Sequence, residues 1–367
     1  MRQRNDGRRL SRRKQEIRRK RRKKRRRRRF LVLVTELFLL CVLGVVAFGM
    51  FKLDKLNTTS LDGLLDNGFI QDGYMNVALF GTDNRAGEEE GVRSDCIIVA
   101  SVNNETKEVK LLSVYRDTFL KTGEETYDKA NSAYAVGGPE AAINMLNRNL
   151  DLDIENYVSV NFLALADVVD LLGGIDIDMT YEEVVHMNNY CVETSEITEK
   201  SYERIEPEEA GTYHLNGVQA VSYSRIRYTE GGDFQRTSRQ RLVIEKIVEK
   251  AKDAKLSTIN KIIDTVFPEI STNFTSSEIV KLSAGLLKYS IGETQGFPSE
   301  TALPEEIPGY SGSYVVPVGL EQNARRAHEF LFPDKEYEAT DTLVGISGDI
   351  SYLTGIYPET GDEQDGE

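Results

Sequence analysis

The chain has no tryptophan, three cysteines and three histidines in 367 residues, and these shortages exclude several kinds of protein. Cys41 falls in an apolar run, which leaves Cys96 and Cys191 in the polar remainder, too few for a disulfide framework. That remainder, roughly 300 residues, must hold together by a buried core and is long enough to do so as one large domain. His186, His214 and His328 are far apart and no C-x-x-C pair occurs, which argues against a zinc centre. No internal repeat is present. Arginine is scarce too, with only twelve from Lys52 onward.

The net charge of −13 conceals two opposite parts. Residues 1–29 carry 19 Lys/Arg against Asp6 and Glu16, whereas residues 52–367 carry 27 Lys/Arg against 56 Asp/Glu. Between them, residues 30–51 (FLVLVTELFLLCVLGVVAFGMF) hold a single charge, Glu36. About 20 apolar residues cross a bilayer, and flanking Lys/Arg stays cytoplasmic. The expected layout is a basic cytoplasmic tail (1–29), a single-pass transmembrane helix (30–51), a spacer (52–74) and an extracellular remainder. A cleaved signal peptide is the rival, but the span exceeds a usual h-region and no small-x-small site follows in GMFKLDKLNTTS. The basic block has no aromatics before Phe30, so it reads as a tail that fixes topology and touches anionic lipid headgroups. No nucleic-acid partner is expected.

In the remainder, NVALFG (76–81) reads as a buried strand. CIIVASV (96–102) and EVKLLSV (108–114) form a hairpin around NNETK. Helices are expected over 137–150, with Pro139 in the first turn, and over 163–173, with strands over 157–162 and 175–179. Residues 180–210 read as an acidic loop. A helix starting in HLNGVQAVSYS, an amphipathic one in RTSRQRLVIEKIVEKAKDA, two shorter ones (257–267 and 276–289) and a strand SYVVPV (313–318) follow. The acidic, Gly-rich end is expected to be a disordered tail. Strands alternating with helices give an α/β fold.

A hairpin turn centred near Glu105 pairs positions summing to about 210, so RSD (93–95) meets YRD (115–117) at one end of the sheet. If NVALFG runs antiparallel beside Cys96–Val102, an eleven-residue loop returns Asp83 to the same corner. Such a cluster is either a salt-bridge network or a Mg²⁺ site within an anion site. The stretch SRIRYTEGGDFQRTSRQR (224–241) adds five arginines. Arg225 and Arg227, two apart, share a side if extended. Arg236, Gln240, Val243 and Ile247 lie on one helical face with Arg239 beside it, while Arg241 falls elsewhere and reads as solvated. A buried arginine needs an anion, so the stretch reads as an oligoanion site.

These motifs resemble the LytR-CpsA-Psr family of membrane-anchored cell-envelope phosphotransferases. The resemblance runs from residue 75 to about 332 through NVALFGTDNR, VRSDCIIVASVNNETKEVKLLSVYRDTF, KANSAYAVGGPEAAINMLNRNL, VSVNFLALADVVDLLGGIDIDM and HLNGVQAVSYSRIRYTEGGDFQRTSRQR. It implies a catalytic domain (75–333), a three-layer αβα domain around a central mixed sheet, followed by the tail (334–367). Asp83 and Asp95 match carboxylates that hold Mg²⁺. Arg93, Arg116, Arg225 and Arg227 match arginines that grip the pyrophosphate of a polyprenyl-linked glycan. Asp233, Arg236, Arg239 and Gln240 match the polar end of the GDFxRxxRQ motif. Arg93, Arg116, Asp95, Asp233 and Arg236 are the catalytic candidates. The family also implies an apolar tunnel for the lipid chain. Tyr115 departs from the pattern, because the family often has proline there.

The implied reaction moves a phosphate-linked glycopolymer (teichoic acid, capsular or similar) from its polyprenyl-pyrophosphate carrier to a peptidoglycan hydroxyl, with membrane lipid as surroundings. Asp95 or Asp117 are the carboxylates available as base. A protein acceptor, or a non-catalytic binder of the same intermediates, is the competing reading.

Overall fold

A computed structural model describes residues 57–65, 71–82, 91–285 and 288–359. The expected cytoplasmic tail and membrane span therefore lie outside the described residues, as does Asp83. Among the described residues no helix is long and apolar enough to cross a membrane.

The apolar runs of the middle of the chain build one mixed seven-stranded sheet. Its strands are β1 (Asn57–Thr58), β2 (Tyr74–Thr82), β3 (Ser94–Asn103), β4 (Glu108–Val114), β5 (Asn156–Asn161), β6 (Ile270–Thr272) and β7 (Ser290–Phe297). Their spatial order is β1-β6-β5-β2-β3-β4-β7. The β3–β4 hairpin has the expected register, with Ile98 opposite Ser113 and Val102 opposite Val109. β2 runs antiparallel beside β3 and parallel to β5.

Nine helices are described: α1 (Ala130–Leu150), α2 (Phe162–Leu171), α3 (Tyr181–Thr198), α4 (Gly217–Arg225), α5 (Gly232–Lys252), α6 (Leu256–Val266), α7 (Ser276–Gly285), α8 (Leu320–Leu331) and α9 (Asp341–Thr354). Alternation along β3 sends Ile97 and Val99 into a core shared with α1, α8 and α9. Ile98 and Ala100 point the other way, toward Ile244 of α5. Both faces of the sheet are thus covered. Each such aliphatic side chain contributes about 1.5–3 kcal/mol when fully buried. A further core joins α2–α5 to the hairpin Ile175–Met179 and Gly211–Leu215 through Val169, Met187, Val218, Tyr223 and Val243.

Three expectations need correction. Residues 181–198 are helical, not loop. Thr180 accepts from the Glu183 amide while the Glu183 side chain accepts from the Thr180 amide, a reciprocal cap that starts α3. Its inner side buries Val184, Met187, Asn188 and Cys191, a face too polar to stand out by hydropathy.

The expected tail contains α9, which buries Leu343, Ile346 and Ile350. Asp151, left-handed at the end of α1, accepts from the Thr340 amide and hydroxyl (2.8 and 2.7 Å) and from the Tyr337 hydroxyl (2.9 Å). That carboxylate ties the last helix to the core.

Finally, α1 begins at Ala130, not 137. It bends at Gly137 and Gly138 (the latter at φ 63°), and Pro139 opens the second segment.

Candidate functional site

The corner expected at the end of β2–β4 exists, and a β-bulge aims it. Gly81 pairs with Cys96 and Thr82 with Ser94, so Asp95 has no partner on β2. A bulged residue bends the strand and redirects its side chain. Gly81 is required opposite this point, because a Cβ there would lie 2.7 Å from that of Cys96. Continuing the hairpin register brings Arg116 across from Asp95, and Arg116 Nη1 meets Asp95 Oδ1 at 2.7 Å. Arg116 Nε also lies 3.4 Å from Asp117 and 3.8 Å from Asp233. Tyr115 supplies a backbone N–H that donates to the Phe297 carbonyl at 2.9 Å. Its ring packs edge-on against Phe234, 4.5 Å between centroids.

The first turns of α5 close the corner from above. Arg236, 3% exposed, lies 2.8 Å from Asp233 and donates to the Asp95 carbonyl at 3.4 Å. The 2.8 Å pair is ionic contact without hydrogen-bond alignment. Arg236 Nε, Arg116 Nε and both Asp233 oxygens are buried and lack hydrogen-bond partners among the described residues.

Charge and burial act against each other in this cluster. Burial pushes the Asp95 carboxyl up, but Arg116, Arg236 and Arg227 together outweigh it and hold the group below its ordinary value. Burial dominates at Asp233, whose carboxyl is raised despite Arg236 and Arg116. It also lowers Arg236, which two carboxylates only partly offset. Arg116 moves the other way, since Asp95, Asp117 and Asp233 overcome its burial.

Beside this cluster a cavity of about 240 Å³ runs between the sheet and helices α2, α3 and α5. Its walls are apolar, with Leu79, Ile98, Val160, Leu165, Val243 and Ile244, and its polar side carries Asp95, Arg225, Arg227, Arg236 and Gln240. Arg225 is the last residue of α4, so the expected extended SRIRY is half helical, yet both arginines still reach one cavity. A Cβ at Gly217 would run into the Ala166 carbonyl, and this tight start of α4 on α2 sets where Arg225 emerges. Its guanidinium lies over Phe162 and Tyr190, at 4.8 and 5.4 Å, and is held by Glu193 and Thr194, both at 2.9 Å. Arg227 is half-buried and has no ion-pair partner among the described residues.

Two arginines of the expected set, Arg239 and Arg93, lie elsewhere. Arg239 is 5% exposed, and its donors are used by Glu183 (2.9 Å), the Ile226 carbonyl (3.1 Å) and Thr229 (2.6 Å). It shapes the loop after α4 instead of lining the cavity. Arg93 is exposed and lines a separate hollow with Lys129, Tyr310 and Tyr314. Arg241, expected to be solvated, is half-buried. Burial lowers its pKa, which Tyr115 and Cys96 only partly offset, and its Nε and Nη1 are buried without hydrogen-bond partners among the described residues.

Sequence reasoning missed Glu183, Glu193, Thr194 and Tyr190 because all sit on α3. The T-x-x-E cap at Thr180 was the available signal. It also missed Lys129, which pairs with Asp117 at 2.9 Å.

The donor set suits a hard cation. Asp95 presents an ionised carboxylate at the cavity wall, and Mg²⁺ is commonly held by one or two carboxylates plus substrate phosphates. Among the described residues no group of three or more His, Cys, Asp or Glu is placed to hold a metal alone.

Comparison with known proteins places the chain. It matches the LytR_cpsA_psr family over residues 53–301. Biofilm regulatory protein A of Streptococcus mutans is 34% identical over 280 residues, covering 69% of this chain and 65% of that protein. A Bacillus licheniformis protein named polyisoprenyl-teichoic acid–peptidoglycan teichoic acid transferase TagU is 32% identical over 216 residues, 58% of this chain and 63% of that one. The chain therefore spans less than two thirds of the length of either curated relative. The crystal structure of protein gbs0355 from Streptococcus agalactiae superimposes with a TM-score of 0.59 at 28% identity, over 73% of this chain and 90% of that one. With a family match over more than half its length, this chain belongs to the LytR-CpsA-Psr family.

Proposed function

We propose that the protein is an extracellular phosphotransferase, anchored by residues 30–51, that moves a phosphate-linked glycopolymer from a polyprenyl-pyrophosphate carrier to a hydroxyl of peptidoglycan. One observation carries this reading. An apolar cavity ends in Arg225, Arg227 and Arg236, the shape and charge of an apolar chain joined to a pyrophosphate. The name of the Bacillus licheniformis relative describes the same transfer.

The chemistry follows from the charges. A pyrophosphate diester carries two negative charges, and guanidiniums neutralise them while stabilising charge that builds on the equatorial oxygens. Arg236 keeps Nε without a hydrogen-bond partner among the described residues, and Arg227 lines the same cavity with no ion pair among them. Arg116 and Asp233 orient the cluster from behind. The acceptor oxygen forms a bond to the glycan-side phosphorus, the bridging P–O bond breaks, and polyprenyl phosphate departs with that electron pair. The hydroxyl proton passes to a carboxylate of the cluster, Asp95 or Asp117. Mg²⁺, held by Asp95 and Asp83, would add positive charge beside the same phosphates.

The test is release of polyprenyl phosphate from a pyrophosphate-linked glycan by the purified protein with Mg²⁺. Release that Arg116→Ala abolishes supports the reading, whereas full activity of that variant sinks the site assignment. The Streptococcus mutans relative is named a regulatory protein, and a binder without turnover is the competing reading. It predicts donor binding with no release.

A further inference from the structure

The hollow that received Arg93 is unlike the lipid-shaped cavity. It measures about 480 Å³ and is walled by tyrosines and small polar groups, among them Tyr310, Tyr314, Asn131 and Ser132. It also adjoins the reacting corner. Lys129 at its floor pairs with Asp117 at 2.9 Å, and Asp117 lies 3.4 Å from Arg116. The Asn131 amide donates to the Arg116 carbonyl at 3.0 Å. The ion-paired side chains of Asp117, Arg116 and Asp95 thus form the wall between the two chambers.

The tyrosines are fixed before any ligand arrives. Tyr314 donates its hydroxyl to Asp128 at 3.1 Å and packs edge-on to Phe119 at 5.4 Å, while Lys129 lies 5.2 Å over its ring. Tyr310 packs edge-on to Phe119 at 4.8 Å. The loop that brings them has two glycines at positive φ, Gly309 (83°) and Gly312 (97°), a backbone conformation that side chains rarely adopt. The half-buried Tyr310 ring, held against Phe119 beside amide, hydroxyl and cationic groups, suits a pyranose ring, which offers apolar C–H faces and a rim of hydroxyls. Arg93, exposed at the edge, suits an acidic substituent.

We propose that this hollow is a saccharide subsite that seats a sugar ring beside the pyrophosphate site of Arg225, Arg227 and Arg236, across the wall formed by Asp117 and Arg116. The inference rests on the transferase reading, and the ring belongs either to the acceptor or to the donor glycan. The experiment uses the full-length protein in nanodiscs with an N-acetylglucosamine–N-acetylmuramic acid disaccharide as probe, read by saturation-transfer NMR. Donor turnover is measured in parallel. Tyr310→Ala removes a stacking face. Ser311→Trp fills the hollow from its exposed rim and leaves the buried contacts alone.

A disaccharide Kd raised at least tenfold in both variants supports an acceptor subsite. A donor KM raised tenfold in both, with no disaccharide signal, supports a donor-sugar subsite. Neither parameter moving in either variant overturns the proposal. If the unaltered protein binds disaccharide through these residues but releases no polyprenyl phosphate, the transferase reading fails and the subsite stands.

Discussion

Arg236 and Arg239 lie three residues apart in α5 and are both buried, yet their surroundings differ. Arg239 has its donors satisfied by Glu183, Ile226 and Thr229, whereas Arg236 keeps Nε without a partner at the cavity wall. An unfulfilled buried donor costs about 1–3 kcal/mol, a price that an arriving anion removes. Arg236→Ala is therefore expected to slow polyprenyl phosphate release about 10²–10³-fold, the usual loss when a charge-stabilising donor is removed. Steady-state release assays check it. Arg239→Ala is expected to act on stability, lowering it by about 1–3 kcal/mol because half-buried Glu183 would lose its cation and the Ile226 carbonyl its donor. Urea denaturation reads that loss, and a variant of normal stability would contradict the assignment. Helical spacing placed both residues on or near the inward face. It could not distinguish them, because the partner of Arg239 comes from α3.

At the scale of elements, the parts governed by local pairing were legible and those governed by tertiary contacts were not. The β3–β4 register followed from a short turn, and it alone brought Asp95 to Arg116. Pro139 marked a helix start because its fixed φ suits a first turn. The helix α3 was hidden because its buried face mixes Asn188 and Thr194 with Val184 and Met187. The helix α9 was hidden by acidic flanks and by Gly345 and Gly348, although Leu343, Ile346 and Ile350 keep a helical spacing. Arg93, expected at the phosphates, went to the neighbouring hollow because it precedes the bulge that turns Asp95 inward. The cap of α3 gives a direct check. Thr180→Ala is expected to lower stability by about 1 kcal/mol. It should also weaken donor binding, since α3 carries the Glu193 and Thr194 that hold Arg225. Denaturation midpoints and donor KM measure the two effects separately.

At the scale of the molecule, a buried imidazole joins Asp151 in tying the C-terminal helices to the end of α1. His328 is 2% exposed, donates from Nε2 to the Leu150 carbonyl at 2.7 Å and stacks on Tyr337 at 3.7 Å. Burial pulls its pKa down from 6.5 to about 4, which the Leu150 hydrogen bond and Asp151 oppose without reversing. The unfolded chain then binds the proton first as pH falls. Its contribution is intact above pH 6.5 and is lost progressively toward pH 4, by about 3 kcal/mol. Urea unfolding at pH 7 and pH 4 should show that loss, and His328→Gln should remove this part of the slope. The central claim concerns the cavity and its arginines, and one measurement addresses it most directly: the structure of the protein bound to a polyprenyl-pyrophosphate glycan. The account predicts the pyrophosphate within hydrogen-bond reach of Arg225, Arg227 and Arg236, with the chain along Leu79, Ile98 and Val243. A pyrophosphate bound away from those arginines, or a lipid chain lying outside that cavity, would contradict it.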